Sequence, residues 1–298
     1  MWNEIEVMEQ NIKYQAVIKR IIPEIIRRSY FMIDPEHEAK KLQNGTIYHY
    51  TNITCLENII KSGELWVSER KFLNDKKELF HSGDIIKKII ENKNIDINIW
   101  DNIPEALKYI INRATFYIFS TSLDRDNQEL CERYGSARIG FNINKLRKVL
   151  NDHRYLFEDS EVIYDKKNKY SNFEKKIEYL VKNQSNFSIS NDERYINMFV
   201  EFGNIIGRAC YHKIEKDSDT GTNWMDEHEY RVVFMPVFKT NQPIQSFYKD
   251  AREYIKVDWR LIEADCPIEE IILSQARQEE IIKLEKLVNP YDIPVNVI

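Results

Sequence analysis

Glycine and proline are scarce, with eight of each in 298 residues. That scarcity excludes long floppy linkers and collagen-like or low-complexity segments. Cysteine is scarcer still, with four in all. Cys55, Cys131, Cys210 and Cys266 are far apart and show no CxxC spacing, which argues against a zinc site. A disulfide framework is not expected in a chain of this length. Positive charge is not in surplus: the formal charge is −5 and the pI about 5.8. No global field gathers nucleic acid, although a local patch still could. No apolar run approaches the roughly 20 residues that span a bilayer. The opening Met1-Trp2-Asn3-Glu4-Ile5-Glu6 lacks the basic-then-apolar layout of a secretory leader. These absences together predict a soluble, reduced, cytoplasmic protein with no membrane partner. Also missing are a Walker loop, HExxH, GxGxxG, a kinase motif set and a GxSxG elbow, so the common nucleotide, zinc-protease and hydrolase signatures are excluded.

What is present supports a packed core. Hydrophobic residues make up 43% and charged residues 31%, and aromatics reach 12%. The length suits one large domain or two small ones. From Asn3 to Tyr30 apolar residues recur at helical spacing, which predicts a helical segment over residues 1–42. Residues 43–298 are expected to form one α+β domain. Thr46–Thr51 is a short β-rich run after the turn signal Asn44-Gly45. Thr54–Lys61 has a helical stripe closed by Gly63, and Leu65–Ser68 is a second strand. Asn74 or Asp75 suits a helix N-cap, with helices over Glu78–Asn92 and Pro104–Arg113. Strands are expected at Phe116–Ser122, Ala137–Phe141, Glu161–Tyr164, Tyr254–Val257, Ile271–Leu273 and Val295–Ile298. Helices are expected at Gln128–Tyr134, Asn144–Asp152 and Glu279–Val288. A helical insertion covers about 173–212, and Lys213–Asn223 is a polar loop. Irregularly interspersed strands and helices predict a mixed or split sheet with surrounding helices.

Chemistry is most concentrated in Trp224-Met225-Asp226-Glu227-His228-Glu229-Tyr230-Arg231. If the strand that follows extends back this far, alternation sets Glu227, Glu229 and Arg231 on one face. Such a group is either a solvated Glu–Arg pair or a site with two carboxylates and a guanidinium. His49 lies between Tyr48 and Tyr50; alternation groups Ile47, His49 and Thr51 on one face and the two tyrosines on the other. A strand histidine is commonly a satisfied packing residue, yet it can also fix a ribose hydroxyl. Ser120, Thr121 and Ser122 close their strand with three hydroxyls, which by themselves signify little.

An ordered set of residues carries a resemblance. It comprises Tyr48-His49-Tyr50-Thr51, Leu56-x-x-Ile59-Ile60, Gly63-x-Leu65-Trp66-x-Ser68 and Phe72-x-Asn74-Asp75-x-x-Glu78. It continues with Phe119-Ser120-x-Ser122, Tyr134-Gly135…Gly140-Phe141 and Trp224-x-x-Glu227-x-Glu229-Tyr230-Arg231. Over roughly Thr46 to Ser274 the chain resembles the bacterial family called domain of unknown function 2971. It departs at Leu130, where the family pattern has a Trp. The opening half is also similar to ADP-ribosyltransferase folds, in particular the DNA-modifying toxin branch and the RNA 2′-phosphotransferases. That resemblance implies an NAD-consuming transferase, serving as a toxin or phage-defence effector. It implies that His49 holds the NAD ribose, that Tyr50 and Thr51 belong to the cofactor-binding residues, and that Ser120 or Ser122 supports the nicotinamide side. Glu229 is then catalytic, Glu227 accessory, and Arg231 orients a carboxylate or binds the pyrophosphate. The implied partners are NAD, a protein or nucleic-acid acceptor, and an antitoxin or defence-system protein. Two alternatives stand beside this one. A non-catalytic nucleotide-binding or sensor module would use the same fold, and a metal-dependent nucleotide-processing enzyme would use Asp226, Glu227 and Glu229. Trp66 and Tyr50 are either stacking surfaces for a base or core aromatics.

Overall fold

The computed structural model describes residues 39–73, 116–165, 212–215, 221–238, 243–260 and 266–298. The helices expected at the N-terminus, at 78–92, at 104–113 and in the 173–212 insertion lie outside these residues, as does the Asn74–Asp75 cap. The chain divides into two compact units. One comprises Met1–Asp34, Asp75–Thr115 and Asp165–His212; the other comprises Pro35–Asn74, Phe116–Tyr164 and Lys213–Ile298. The second unit is an α+β assembly around a mixed, open sheet.

Its helices start and stop where short polar side chains serve the backbone. Helix α1 is Ile53–Ser62. The Asn52 side chain accepts from the Cys55 amide at 2.8 Å, and Gly63, at φ 70°, donates its N–H to the Ile59 carbonyl at 2.9 Å. Helix α2, Gln128–Tyr134, is capped by Asn127. Helix α3, Ile143–Asp152, is capped by Asn142, whose Oδ1 accepts from two amides at 3.0 Å. Helix α4 is Gln278–Val288, and Glu280 reaches back to the Arg277 amide at 2.8 Å. None of the helices among the described residues is long and apolar enough to cross a membrane.

The strands are β1 Thr46–Thr51, β2 Glu64–Glu69, β3 Tyr117–Ser122, β4 Ala137–Asn142, β5 Tyr155–Glu161 and β6 Ile163–Asp165. They continue as β7 His212–Ile214, β8 Glu229–Phe238, β9 Ser246–Lys249, β10 Arg252–Asp258, β11 Ile268–Leu273 and β12 Val295–Val297. One path through the main sheet runs β12-β11-β4-β1-β3-β2-β10-β9, and β8 joins β3 to β5. All pairs are antiparallel except β11 with β12. Strands β6 and β7 form a separate two-stranded ribbon.

Strand β3 is the junction. Strand β8 pairs with it along its whole length, from Tyr117↔Phe234 to Ser122↔Glu229. On the other edge β1 meets it at Tyr48↔Ser122, while β2 meets it at Ser68↔Ile118 and Glu69↔Tyr117. A strand has only two edges, so β1 and β2 share one and diverge around Phe119–Thr121. The sheet therefore splits there. Its principal apolar face buries Ile47, Phe119, Ile139, Phe141, Tyr230, Val232 and Phe234 in one core. Across the sheet, Tyr48, Tyr50, Leu130 and Ile272 form a smaller cluster.

Candidate functional site: a buried carboxylate pair among three cations

The approach to β8 is a 3-10 turn, Trp224–Glu227, followed by His228 in the left-handed region at φ 41°. The expectation of an extended backbone through Glu227 is thus corrected: the chain turns and β8 begins at Glu229. Three hydrogen bonds pin this turn to the end of β3. The Ser122 hydroxyl donates to the Glu227 carbonyl at 2.7 Å, the Leu123 amide to the His228 carbonyl at 2.9 Å, and the Asn127 side chain to the Asp226 carbonyl at 2.7 Å. The His228 ring lies 2.9 Å from Asp124.

Pinned in this way, the carboxylates of Glu227 and Glu229 converge although their backbones differ. The Lys213 ammonium lies 2.7 Å from Glu227 and 3.2 Å from Glu229. Arg231, one strand repeat beyond Glu229, grips it through Nε at 2.7 Å and Nη2 at 2.8 Å. Arg133 of α2 donates to Glu227. The ring of Trp224 faces two of these cations, 4.2 Å from the Lys213 ammonium and 5.3 Å from the Arg133 guanidinium. Tyr164 accepts from the Glu229 amide at 3.0 Å. Glu227, Glu229, Lys213 and Arg231 are all buried.

These contacts set the electrostatics. Burial by itself would raise the Glu229 pKa, but the charges of Arg231 and Lys213, with hydrogen bonds from Arg231 and Ser120, hold it at about 2. Glu229 is therefore an anion at every physiological pH. Burial raises the Tyr164 pKa, and the Glu229 charge raises it further, so Tyr164 stays a neutral phenol.

Registers decide which sequence-derived residues belong together. Ser122 pairs with Glu229, Ser120 with Arg231 and Tyr48 with Ser122. Paired residues project to the same side, so Ser120, Ser122, Glu229, Arg231, Tyr48 and Tyr50 occupy one face. His49 and Thr51 occupy the other, with Ile47. The His49 ring packs 5.0 Å from that of Phe119. A direct meeting of His49 and Glu229 in one pocket is not what these registers produce.

The two are linked through Ser120. Its carbonyl lies at the split of the sheet, and His49 Nδ1 approaches it at 3.3 Å. A carbonyl can only accept, so this contact assigns the proton to Nδ1. Burial lowers the His49 pKa, the Ser120 bond offsetting only part of that, so the ring is neutral and Nε2 is an acceptor. The Ser120 side chain shares the face of Glu229 and helps to lower the pKa of its carboxylate. Ser120 thus stands between the two candidates: its carbonyl meets His49, and its side chain acts on the charge of Glu229.

Other candidates have structural duties. Ser122 donates to the Glu227 carbonyl and accepts from the Asp124 amide at 3.0 Å. The Tyr50 hydroxyl donates to the Asp124 carbonyl at 2.7 Å and accepts from the Asn127 amide at 2.9 Å, and burial pushes its pKa up to about 12. Asp226 is exposed. Among the described residues no group of three His, Cys, Asp or Glu side chains is placed to hold a metal ion, and Glu227 and Glu229 are engaged by cations.

Lys213, Arg133 and Tyr164 complete the cluster, and no sequence signal singles them out. Lys213 sits in a stretch rich in Asp, Ser and Thr, where no apolar pattern marks a buried position. Neither family models nor curated proteins match this chain, which leaves the geometry of the cluster to carry its functional interpretation.

Proposed function

We propose that the chain is an NAD-dependent transferase of the ADP-ribosyltransferase type, acting as a bacterial toxin or phage-defence effector, with Glu229 as its central carboxylate. The observation that carries this is the double role of Ser120, which ties neutral His49 to ionised Glu229 at the split of the sheet. Cleavage breaks the bond between nicotinamide and ribose C1′. The electron pair leaves with the nicotinamide nitrogen, and positive charge develops at C1′ and the ring oxygen, as in glycoside cleavage. A preorganised carboxylate stabilises that charge. With a pKa of about 2, Glu229 supplies charge and not proton transfer. Arg231 keeps Glu229 oriented.

A second reading is favoured by a specific observation. Glu229 is already engaged by Arg231, Lys213 and Ser120, and His49 lies across the sheet from it. A nucleotide-binding module without turnover fits that arrangement as well.

Incubation with nicotinamide-labelled NAD separates the two. Nicotinamide release by the wild type that falls at least a hundredfold in Glu229→Gln supports the transferase. Calorimetric binding of NAD without release supports the module. Release unchanged in Glu229→Gln removes that carboxylate from the reaction, and absence of both binding and release overturns both readings.

A further inference from the structure

The sheet's other arm, away from the Glu229 cluster, has an outer face with its own chemistry. In β2, Trp66 is 42% exposed between Leu65 and Val67, which are 2% and 1% exposed. Alternation therefore turns the indole outward while its neighbours enter the core. The registers Trp66↔Lys256, Tyr254↔Phe247 and Arg252↔Lys249 bring six side chains to that same side. The three rings form a cluster. Phe247 stacks on Tyr254 at 5.7 Å, and Trp66 meets them at 5.0 and 6.1 Å.

Cations surround these rings. The Lys249 ammonium lies 4.6 Å over Trp66, and that of Lys256 lies 5.7 Å over Phe247. Lys256 is also paired with Glu64 at 2.9 Å. Among the described residues Lys249 and Arg252 have no carboxylate partner. Two cations with no carboxylate partner among the described residues, beside a ring cluster in which Trp66 is exposed and Phe247 and Tyr254 are half-buried, are an unusual surface for a chain of net charge −5.

We propose that this face of β2, β10 and β9 binds single-stranded nucleic acid. Unpaired bases have flat apolar faces that stack on exposed rings, and the phosphates between them complement lysine and arginine. Both halves of that chemistry are present on one side of three adjacent strands. Paired bases hide their faces, so a duplex lacks the stacking contribution. An acidic peptide would satisfy the cations and leave the rings unused. None of these residues belongs to the Glu229 cluster, so the proposal stands apart from the NAD reaction.

The test is fluorescence anisotropy of the full chain with labelled 15-mers: single-stranded DNA, the same sequence as RNA, the DNA duplex and an abasic strand, each over a salt series. Single strands bind, with the duplex and the abasic strand weaker; comparison of DNA and RNA identifies the natural source. Trp66→Ala weakens binding about five- to 150-fold, the range for one stacked base. Lys249→Gln with Arg252→Gln lowers the salt slope by about 0.7 for each phosphate that is no longer neutralised. Circular dichroism confirms that these surface variants keep the fold. Equal binding of the abasic strand, competition by polyglutamate as effective as that by oligonucleotide, or a Trp66→Ala variant that binds like the wild type would each overturn the proposal.

Discussion

At the residue scale, Lys213 is the group on which the two carboxylates depend. A buried ammonium between two buried carboxylates is stabilising only as a set, because removal of one charge strands the others in low dielectric. Lys213→Met is expected to cost about 3–5 kcal/mol, measured by urea unfolding. The double variant Lys213→Met with Glu227→Gln recovers part of the loss, since one stranded carboxylate is gone. The pH dependence has a definite sign. The folded pKa of Glu229 lies below its ordinary value of 4.5, at about 2. Its stabilisation is complete above pH 4.5 and is lost as pH falls toward 2. The stability difference between wild type and Glu229→Gln therefore shrinks across that window. His49 also has a folded pKa below its ordinary value of 6.5. Its protonation favours unfolding, so stability falls as pH drops below 6.5, and His49→Gln removes that part of the slope.

At the element scale, two glycines with positive φ give contrasting expectations. A Cβ at Gly135, φ 125°, would lie 2.6 Å from the Thr51 carbonyl oxygen, part of the β1 backbone. At Gly63, φ 70°, the obstruction is the Arg260 side chain, which can swing away. Gly63→Ala is expected to cost about 1 kcal/mol, the ordinary penalty for a left-handed cap. Gly135→Ala costs more, because β1 must shift, and thermal unfolding ranks the two. Asn52→Ala should cost about 0.5–2 kcal/mol through loss of the α1 cap.

The same elements indicate what the sequence can convey. Helix α1 is legible because its stripe and its Gly63 terminator are local signals. The alternation within β1 is legible too, and His49 does share a face with Ile47. Which face of β8 matches it is not, because that depends on pairing between distant segments. Strand β5 is foreseen only at its last residue, since Glu158, Asp159 and Glu161 mask an apolar pattern. The turn at Glu227 is hidden by the left-handed His228, a conformation that a non-glycine residue rarely announces. Lys213 reads as part of a polar loop because nothing local marks a lysine as buried. Only the carboxylates it meets explain its position.

At the scale of the whole molecule, substrate binding should be visible as stability. If NAD binds the folded chain, an excess of about 100-fold over Kd adds about 2.7 kcal/mol. Differential scanning fluorimetry with and without NAD reads this as a rise in Tm. Absence of a rise at millimolar NAD argues against both nucleotide readings.

The three-partner strand at the centre of the sheet has a consequence for biosynthesis. During translation, β3 emerges with β1 and β2 already made, but the strand that covers its other edge begins only at Glu229. Until then, one side of Tyr117–Ser122 lacks its native partner, and its first three residues are Tyr117, Ile118 and Phe119. A bare edge of that composition invites pairing with a second chain. A chain truncated at His228 is expected to scatter light at concentrations where the full chain stays clear. For this protein the segment from Glu229 onward acts as the cover for a hazard created in the first half.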